Sequence, residues 1–473
     1  MNRKVYANVK PSQRQIDWQE LEFYSFIHFG VNTMTGSEWG SGTESPEIFN
    51  PENVDTDEWV KTFRDSGMKA VILTCKHHDG FCLWPSAYTD HSVASSPWRD
   101  GQGDLVKEVA DSCAKYGLKF GVYLSPWDKH EPSYGQGKAY DDYFVNQLEE
   151  LLTNYDDIFS VWFDGANGEG PNGKKQLYDW PRYYEVIRKH QPDAAISIMG
   201  PDVRWVGNEA GMTRENEWSV IPDSLFNTKM IEQGSQQADD GKFVTKMADD
   251  DEDLGSRTIL DKHQGDFIWY PAEVDVSIRP GWFYHEEQDE QVKTVDELFT
   301  IFKDSVGNNA TLLLNIPPNS RGEIADVDTK ALTGLGEKIE QFYAKNYLAN
   351  AEVTYSSNPP QQTDAGAVFD LPLADTYWEN DAADEKPRIE LKLPEAVTIN
   401  HLLLKEYIPE GQRIEKVKIS MFLENQNVNT VDFEAVGYQK IVEFEETKVD
   451  QLIFEFLEYR EFVTINTLFA TNI

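Results

Sequence analysis

The chain has 473 residues and a mass of 54.1 kDa, is 40% hydrophobic and 26% charged, and carries 82 acidic against 43 basic side chains, a formal net charge of -39. On a prior of about 150 residues per domain that length suggests two or three domains, while the composition excludes a disordered chain and the lack of any apolar run of about 18 residues excludes a membrane-spanning helix. The acidic surplus repels phosphate backbones and anionic lipid, so neither nucleic acid nor a membrane is expected as a partner.

The opening Met1-Asn2-Arg3-Lys4-Val5-Tyr6 is followed by polar residues and not by the apolar core of a secretory leader. A cytoplasmic location is expected from the sequence as given, and a secreted or periplasmic one if a leader was removed. Cys75, Cys82 and Cys113 are odd in number and too few to staple a fold of this size.

From residue 20 to about 346, short β-branched or aromatic runs alternate with helical patterns, the signature of repeated strand-helix units. Strands are expected near Tyr24 to Phe29, Lys69 to Thr74, Lys119 to Leu124, Phe159 to Phe163, Ala195 to Met199, Asn216 to Val220, Asp266 to Tyr270 and Ala310 to Asn315. Eight strands predict an α/β fold, a (β/α)8 or TIM-like barrel spanning 1–346. Trp59, Val60, Phe63 and Gly67 mark a helix between the first two strands, and Val295, Leu298, Phe299 and Phe302 mark another before the last. After Ser356-Ser357-Asn358-Pro359-Pro360 the alternation becomes period two: Ile389, Leu391 and Leu393, then Val417, Ile419 and Met421, then Leu452, Phe454 and Phe456. The expectation is a C-terminal antiparallel β-sandwich over 347–473. The acidic run Asp249 to Asp253 lacks the spaced ligands and turn glycine of an EF-hand and reads as a solvated loop.

Two motifs fail on physical grounds. Gly168-Glu169-Gly170-Pro171-Asn172-Gly173-Lys174 imitates a phosphate loop, but Lys175 stands where a magnesium-binding hydroxyl is needed and Pro171 removes an amide donor, so a surface loop is expected. His77 and His78 are adjacent on a strand and point to opposite faces, which argues against a metal site. What remains lies at the C-terminal ends of barrel strands, where such barrels place their chemistry: His28, the segment Lys76 to Phe81, Tyr123 with Trp127, and Trp162-Phe163-Asp164-Gly165. Asp164 is delivered to the barrel mouth by an apolar strand. Glycoside hydrolysis requires a second carboxyl group; Glu209 is a candidate, with Glu38, Glu217 and Glu273 as rivals. Trp39, Trp84, Trp162, Trp205 and Trp282 fall near strand ends, and aromatic faces suit the C–H surface of sugars, so about half of them are expected to touch ligand.

The set His28-Phe29-Gly30, Gly36-Ser37-Glu38-Trp39, Lys76 to Phe81, Trp162 to Gly165 and Leu312-Leu313-Leu314-Asn315-Ile316 resembles the α-L-fucosidases of glycoside hydrolase family 29, in order along the whole barrel. The resemblance implies a retaining double displacement with Asp164 as nucleophile and no organic cofactor or catalytic metal. The stretch from Gly200 to Glu209 is similar to the branch selective for α-1,3 and α-1,4 fucosyl linkages of Lewis-type glycans, which makes Glu209 the acid/base. His28, Glu38, Trp39, His77, His78, Tyr123, Trp162, Arg279 and Trp282 are implied as fucose contacts. Two other readings stand beside this one: a fucosyl-glycan-binding protein without chemistry, and a metal-dependent hydrolase. Ile399 to Glu406 resembles discoidin-like modules, which bind sugars, and a domain that only buttresses the barrel is the alternative.

Overall fold

A computed structural model describes residues 4–235, 253–357 and 376–473. Strands β1 (Phe23–Ile27), β2 (Ala70–Lys76), β3 (Lys119–Leu124), β4 (Ile158–Phe163), β5 (Ala195–Ile198), β6 (Arg204–Trp205), β7 (Ala272–Ser277) and β8 (Ala310–Asn315) form one sheet in the spatial order β5, β4, β3, β2, β1, β8, β7, β6. Neighbouring strands pair in parallel. A parallel bridge from Ser197 to Val203 joins the two ends, so the sheet nearly closes into a barrel. β1, β2 and β8 are buried at every position, which is why these strands read as continuous apolar runs.

Helices α1 (Thr56–Asp65), α2 (Leu105–Tyr116), α3 (Lys138–Asn154), α4 (Trp180–His190), α5 (Val295–Ser305) and α6 (Asp326–Tyr343) cover the outside. Their starts are written in the sequence: the carboxylates of Asp55 and Asp104 accept from the amides of Glu58 and Lys107 at 3.1 and 2.9 Å, and Thr294 with Glu297 forms a capping box. Between β5 and β6 no helix intervenes.

The expected sixth and seventh strands are corrected by the structure. Val220–Pro222 and Phe267–Trp269 pair antiparallel in a separate two-stranded ribbon. Their apolar residues bury elsewhere: Val220 and Trp269 pack with Tyr6 and Ile408, and Ile221 and Tyr270 pack with Trp218 and Ala435. The true sixth strand is two residues long, and the true seventh alternates Glu273, Asp275 and Ser277 with valines, a pattern that reads as a solvent-facing strand. The acidic run up to Glu252 and the break at 358–360 lie outside the described residues.

Beyond α6 the chain is antiparallel. β9 (Glu352–Tyr355), β10 (Arg388–Lys405), β11 (Ile414–Leu423), β12 (Gln426–Phe433), β13 (Lys440–Tyr459) and β14 (Thr467–Thr471) form a sheet in the order β9, β10, β13, β11, β12, with β14 also on β10; Trp378–Glu379 pairs with Thr464–Ile465 in a second, small sheet. The predicted alternation is realised: Ile389, Leu391, Val417, Ile419, Met421, Leu452, Phe454 and Phe456 make a core separate from that of the barrel. The two long strands change register between Lys392 and Val397 and between Ile399 and His401, irregularities of the kind that bend a strand.

The antiparallel part meets the foot of the barrel at Glu22, just before β1. Its carboxylate takes Lys405 Nζ at 2.7 Å and the Tyr438 hydroxyl at 2.8 Å, with Lys69 Nζ at 3.5 Å. The lysines hold this nearly buried carboxyl down to about 2 against the pull of burial. Cys75 on β2, Cys82 in the loop after it and Cys113 on α2 are all free thiols, and all are buried.

Candidate active site

The mouth of the barrel gathers side chains from the ends of β1 to β4, β7 and β8. Next to β2, the buried Lys76 ammonium is fixed by Asp128 and Gln147, each at 2.9 Å, which anchors the start of the His77-His78 segment. His28 follows β1. Its Nδ1 lies 2.8 Å from Asn315 Oδ1, and Asn315 Nδ2 donates to Ser277 Oγ at 2.9 Å and Trp282 O at 2.8 Å. With the amide so oriented, His28 Nδ1 carries the hydrogen and Nε2 presents a lone pair. Burial pushes this imidazole down to about 3, so it is neutral. His78 is fixed in the same manner: the Ser125 hydroxyl donates to Trp127 O at 2.6 Å and accepts from His78 Nδ1 at 2.7 Å. Burial lowers both His77 and His78 well below the ordinary imidazole value.

Asp164 stands where β4 ends. One oxygen accepts the Ala166 amide at 2.7 Å, the other accepts the Tyr123 hydroxyl at 3.0 Å, and His78 Nε2 is 3.9 Å away, beyond hydrogen-bond reach. Burial raises this carboxyl, and the two neutral donors only partly oppose that. Gly165 is required to be small: a Cβ there would fall 2.3 Å from Ser235 Oγ of the helix Thr228–Ser235.

Rings connect the remaining residues. His77 stacks on Tyr123 with centroids 5.6 Å apart, Tyr123 on Trp162 at 5.3 Å, and His28 leans on Trp282 at 5.1 Å. Trp39 meets His78 at 5.9 Å and Trp127 at 5.5 Å, both edge-on. Glu38 reaches across the mouth, where its two oxygens accept the Trp282 amide at 2.9 Å and His285 Nε2 at 2.8 Å. Thus the structure brings His28, Glu38, Trp39, His77, His78, Tyr123, Trp162, Asp164 and Trp282 into one continuous wall.

Glu209 belongs to a loop after β6 that Asn208 staples, its Oδ1 accepting the amides of Ala210 at 3.0 Å and Met212 at 3.2 Å, between left-handed Gly207 (φ +107°) and Gly211 (φ +82°). It is half-buried, and of the charged groups around Asp275 it weighs most. Asp275 accepts the Trp205 indole N–H at 2.8 Å; burial, then Glu209 and Glu273, raise it well above the ordinary value. The rivals separate by environment. Glu217 is buried in an ion pair with Arg204, with Arg214 Nη1 at 3.5 Å, a structural role. Glu273 is fully buried beneath Trp162, whose indole donates to it at 2.6 Å, and beside the Tyr24 hydroxyl; burial pushes it up to about 7.

Arg279, implied as a fucose contact, falls outside the wall, and so does Trp84, one of the five strand-end indoles. Arg279 has a fully buried side chain, with Nε on Asp328 and Nη1 on Asp289, each at 2.8 Å, and its guanidinium lies 4.4 Å from the Tyr284 ring; the structure makes it a brace of the loop behind the site. Trp84 is core, its indole donating to Glu150 at 2.8 Å. The glycines of the false phosphate loop have a packing reason: a Cβ at Gly168 would lie 2.0 Å from the Trp127 ring and one at Gly170 2.4 Å from Tyr134. Asn315, Ser125, Asp275 and His285 were missed as site residues; Asn315 alone carried a signal, its place at the end of the last strand.

A barrel whose mouth joins carboxyl groups to a wall of neutral imidazoles and indoles is that of a glycoside hydrolase. Comparison narrows the class. The family profile described as alpha-L-fucosidase matches residues 3–342, and the chain belongs to that family, the α-L-fucosidases of glycoside hydrolase family 29, enzymes that act on fucosylated glycans. It is similar to Alpha-L-fucosidase 1 of Arabidopsis thaliana, 39% identical over 430 residues that cover 90% of this chain and 79% of the relative. A crystal structure from Bacteroides ovatus is 42% identical with a TM-score of 0.85, covering 99% of this chain and 75% of that one. A Ruminococcus gnavus GH29 fucosidase solved in complex with fucose is 28% identical with a TM-score of 0.82, covering 98% and 95%.

Proposed function

We propose that the enzyme removes terminal α-L-fucose by a retaining double displacement, with a preference for α-1,3 and α-1,4 linkages of Lewis-type structures. The observation that carries this reading is Asp164 itself: a carboxylate oriented by Tyr123 and the Ala166 amide, open to the mouth and bordered by three histidines and three indoles. In the first step an Asp164 oxygen bonds to C1 as the glycosidic bond breaks, and Glu209 gives its proton to the departing oxygen. In the second, Glu209 takes a proton from water, which attacks C1 and displaces Asp164, so fucose leaves with its α configuration. The buried carboxyl of Asp275 is raised by burial and then by Glu209, so the two carboxyl groups interact on this side of the site.

The wall supplies binding. Neutral His28 offers an acceptor at Nε2, Glu38 accepts, and the aromatic rings cover the apolar face of the deoxysugar. The glycan-binding alternative keeps the wall but has no use for a carboxylate oriented at its centre. The division into a catalytic barrel over 1–346 and a C-terminal domain over 347–473 is supported by a second core drawn from 348–470, with Leu403 and Phe469 packed into the core of the barrel where the two meet. Nuclear magnetic resonance of the first-formed sugar tests retention: α-L-fucose is expected, and the β anomer overturns the double displacement. Hydrolysis of a Lewis-type trisaccharide is expected to exceed that of an α-1,2-fucosyl disaccharide; the opposite order overturns the linkage.

A further inference from the structure

Glu38 stands in a loop that is neither helix nor strand, between Gly36 (φ +65°) and Gly40 (φ +63°), so its own backbone does little to aim it. Both of its side-chain oxygens are bonded to the opposite rim, one to the Trp282 amide and one to His285. A carboxylate has about four lone-pair positions, so after these two bonds it can still accept from a sugar hydroxyl. The rim approaches closely: a Cβ on Gly281 would lie 2.6 Å from Glu38 Oε1 and 3.1 Å from His285 Cδ2. His285 is largely buried, as is Glu38, which strengthens a charge-assisted bond between them.

We propose that His285 is a positioning residue for fucose binding: as an imidazolium on Glu38 it sets the carboxylate against the sugar and locks the Glu38-Trp39 rim to the Trp282 rim. The inference rests on the placement of Glu38 in the fucose site. His285 touches no reacting atom in this scheme, so it governs affinity and leaves the chemical step alone.

The charged groups around His285 are Glu38, Glu287, whose Oε1 is 3.9 Å from Nδ1, and Arg279, whose Nη1 donates to the His285 carbonyl at 3.3 Å. The hydrogen bond to Glu38 leads the balance and lifts His285 above the ordinary imidazole value; burial and Arg279 oppose it. Below the titration of His285 the pair is therefore ionic. As pH rises past the titration of His285 the bond becomes that of a neutral donor, and fucose affinity falls.

The test is calorimetric binding of fucose, with kcat and KM on an aryl α-L-fucoside, from about pH 5.5 to about 8.5 for wild type, His285→Ala, His285→Gln and Glu38→Gln. His285→Ala is expected to weaken fucose binding about tenfold or more near pH 6 and to raise KM in parallel, with kcat within about threefold. His285→Gln keeps an N–H for Glu38 but cannot titrate; it is expected to hold at every pH an affinity within about threefold of the wild-type value at the alkaline end and to lose the alkaline decline. Wild-type affinity in His285→Ala, a fall in kcat at unchanged KM, or an undiminished alkaline decline in His285→Gln overturns the proposal. Should Glu38→Gln bind fucose as wild type does, the placement of Glu38 fails first. Loss of affinity in Glu38→Gln without any in His285→Ala removes His285 alone.

Discussion

At the foot of the barrel and at its mouth the chain buries carboxyl groups, and it treats them in opposite ways. Glu22 at the foot has two lysines and a tyrosine and is held down to about 2. Glu273 at the mouth has neutral donors, the indoles of Trp162 and Trp18 and the Tyr24 phenol, and is pushed up to about 7, and Asp164 and Asp275 are raised as well. Burial alone pushes all four in one direction; the cations decide which group escapes. The foot joins two parts of the chain and needs a charge that stays fixed. At the mouth neutral donors orient the carboxyls without pinning the charge.

If this division holds, variants at Asp164 and Glu209 lose turnover and keep stability, while variants at the foot do the reverse. The largest effect is expected from Asp164→Ala, which should lower kcat on an aryl fucoside by about a thousandfold or more with an unchanged melting temperature; near-normal turnover would remove Asp164 from the chemistry. Glu209→Ala should lose about a hundredfold or more on substrates with poor leaving groups and regain activity with azide on activated ones. Azide rescue in a Glu273 variant instead would transfer the acid/base role to the buried carboxyl. At the foot, Lys405→Met strips Glu22 of its nearer cation and should cost about 3 kcal/mol of stability in denaturant titration, at normal kcat.

Acid titration sharpens the same contrast. Glu22 is depressed on folding, so its stabilisation is complete above its unfolded value near 4.5 and is lost as pH falls toward about 2. That contribution is about 3 kcal/mol, and Glu22→Gln should flatten the acid limb of the stability curve. Glu273 has the reverse sign. Its raised value means that stability declines as pH climbs from 4.5 to about 7, and Glu273→Gln should recover about 2 kcal/mol at pH 8 relative to pH 5, the smallest effect of the series.

Most of this barrel was legible in the sequence because most of its strands are buried on both faces and so are written as unbroken apolar runs. β6 and β7 were not, for a reason tied to the chemistry. A two-residue strand has no periodicity to read, and β7 places Glu273 and Asp275 inward where a barrel core calls for aliphatic residues. The Trp162-Phe163-Asp164-Gly165 segment announced itself because one carboxylate ended an apolar strand. His285 gave no such notice: it follows a run of aromatic residues, and its meaning depends on Glu38, far away in sequence and adjacent only once the ring has nearly closed.

The three thiols add a practical property. Cys75, Cys82 and Cys113 are wholly enclosed, and burial raises each well above the ordinary cysteine value, so neither oxidant nor alkylating reagent reaches a thiolate while the native state persists. All three belong to the second strand-helix unit and the loop it carries, the segment that bears His77 and His78. An alkylation clock on the intact enzyme would therefore time the transient openings of the histidine-bearing unit without any engineered probe.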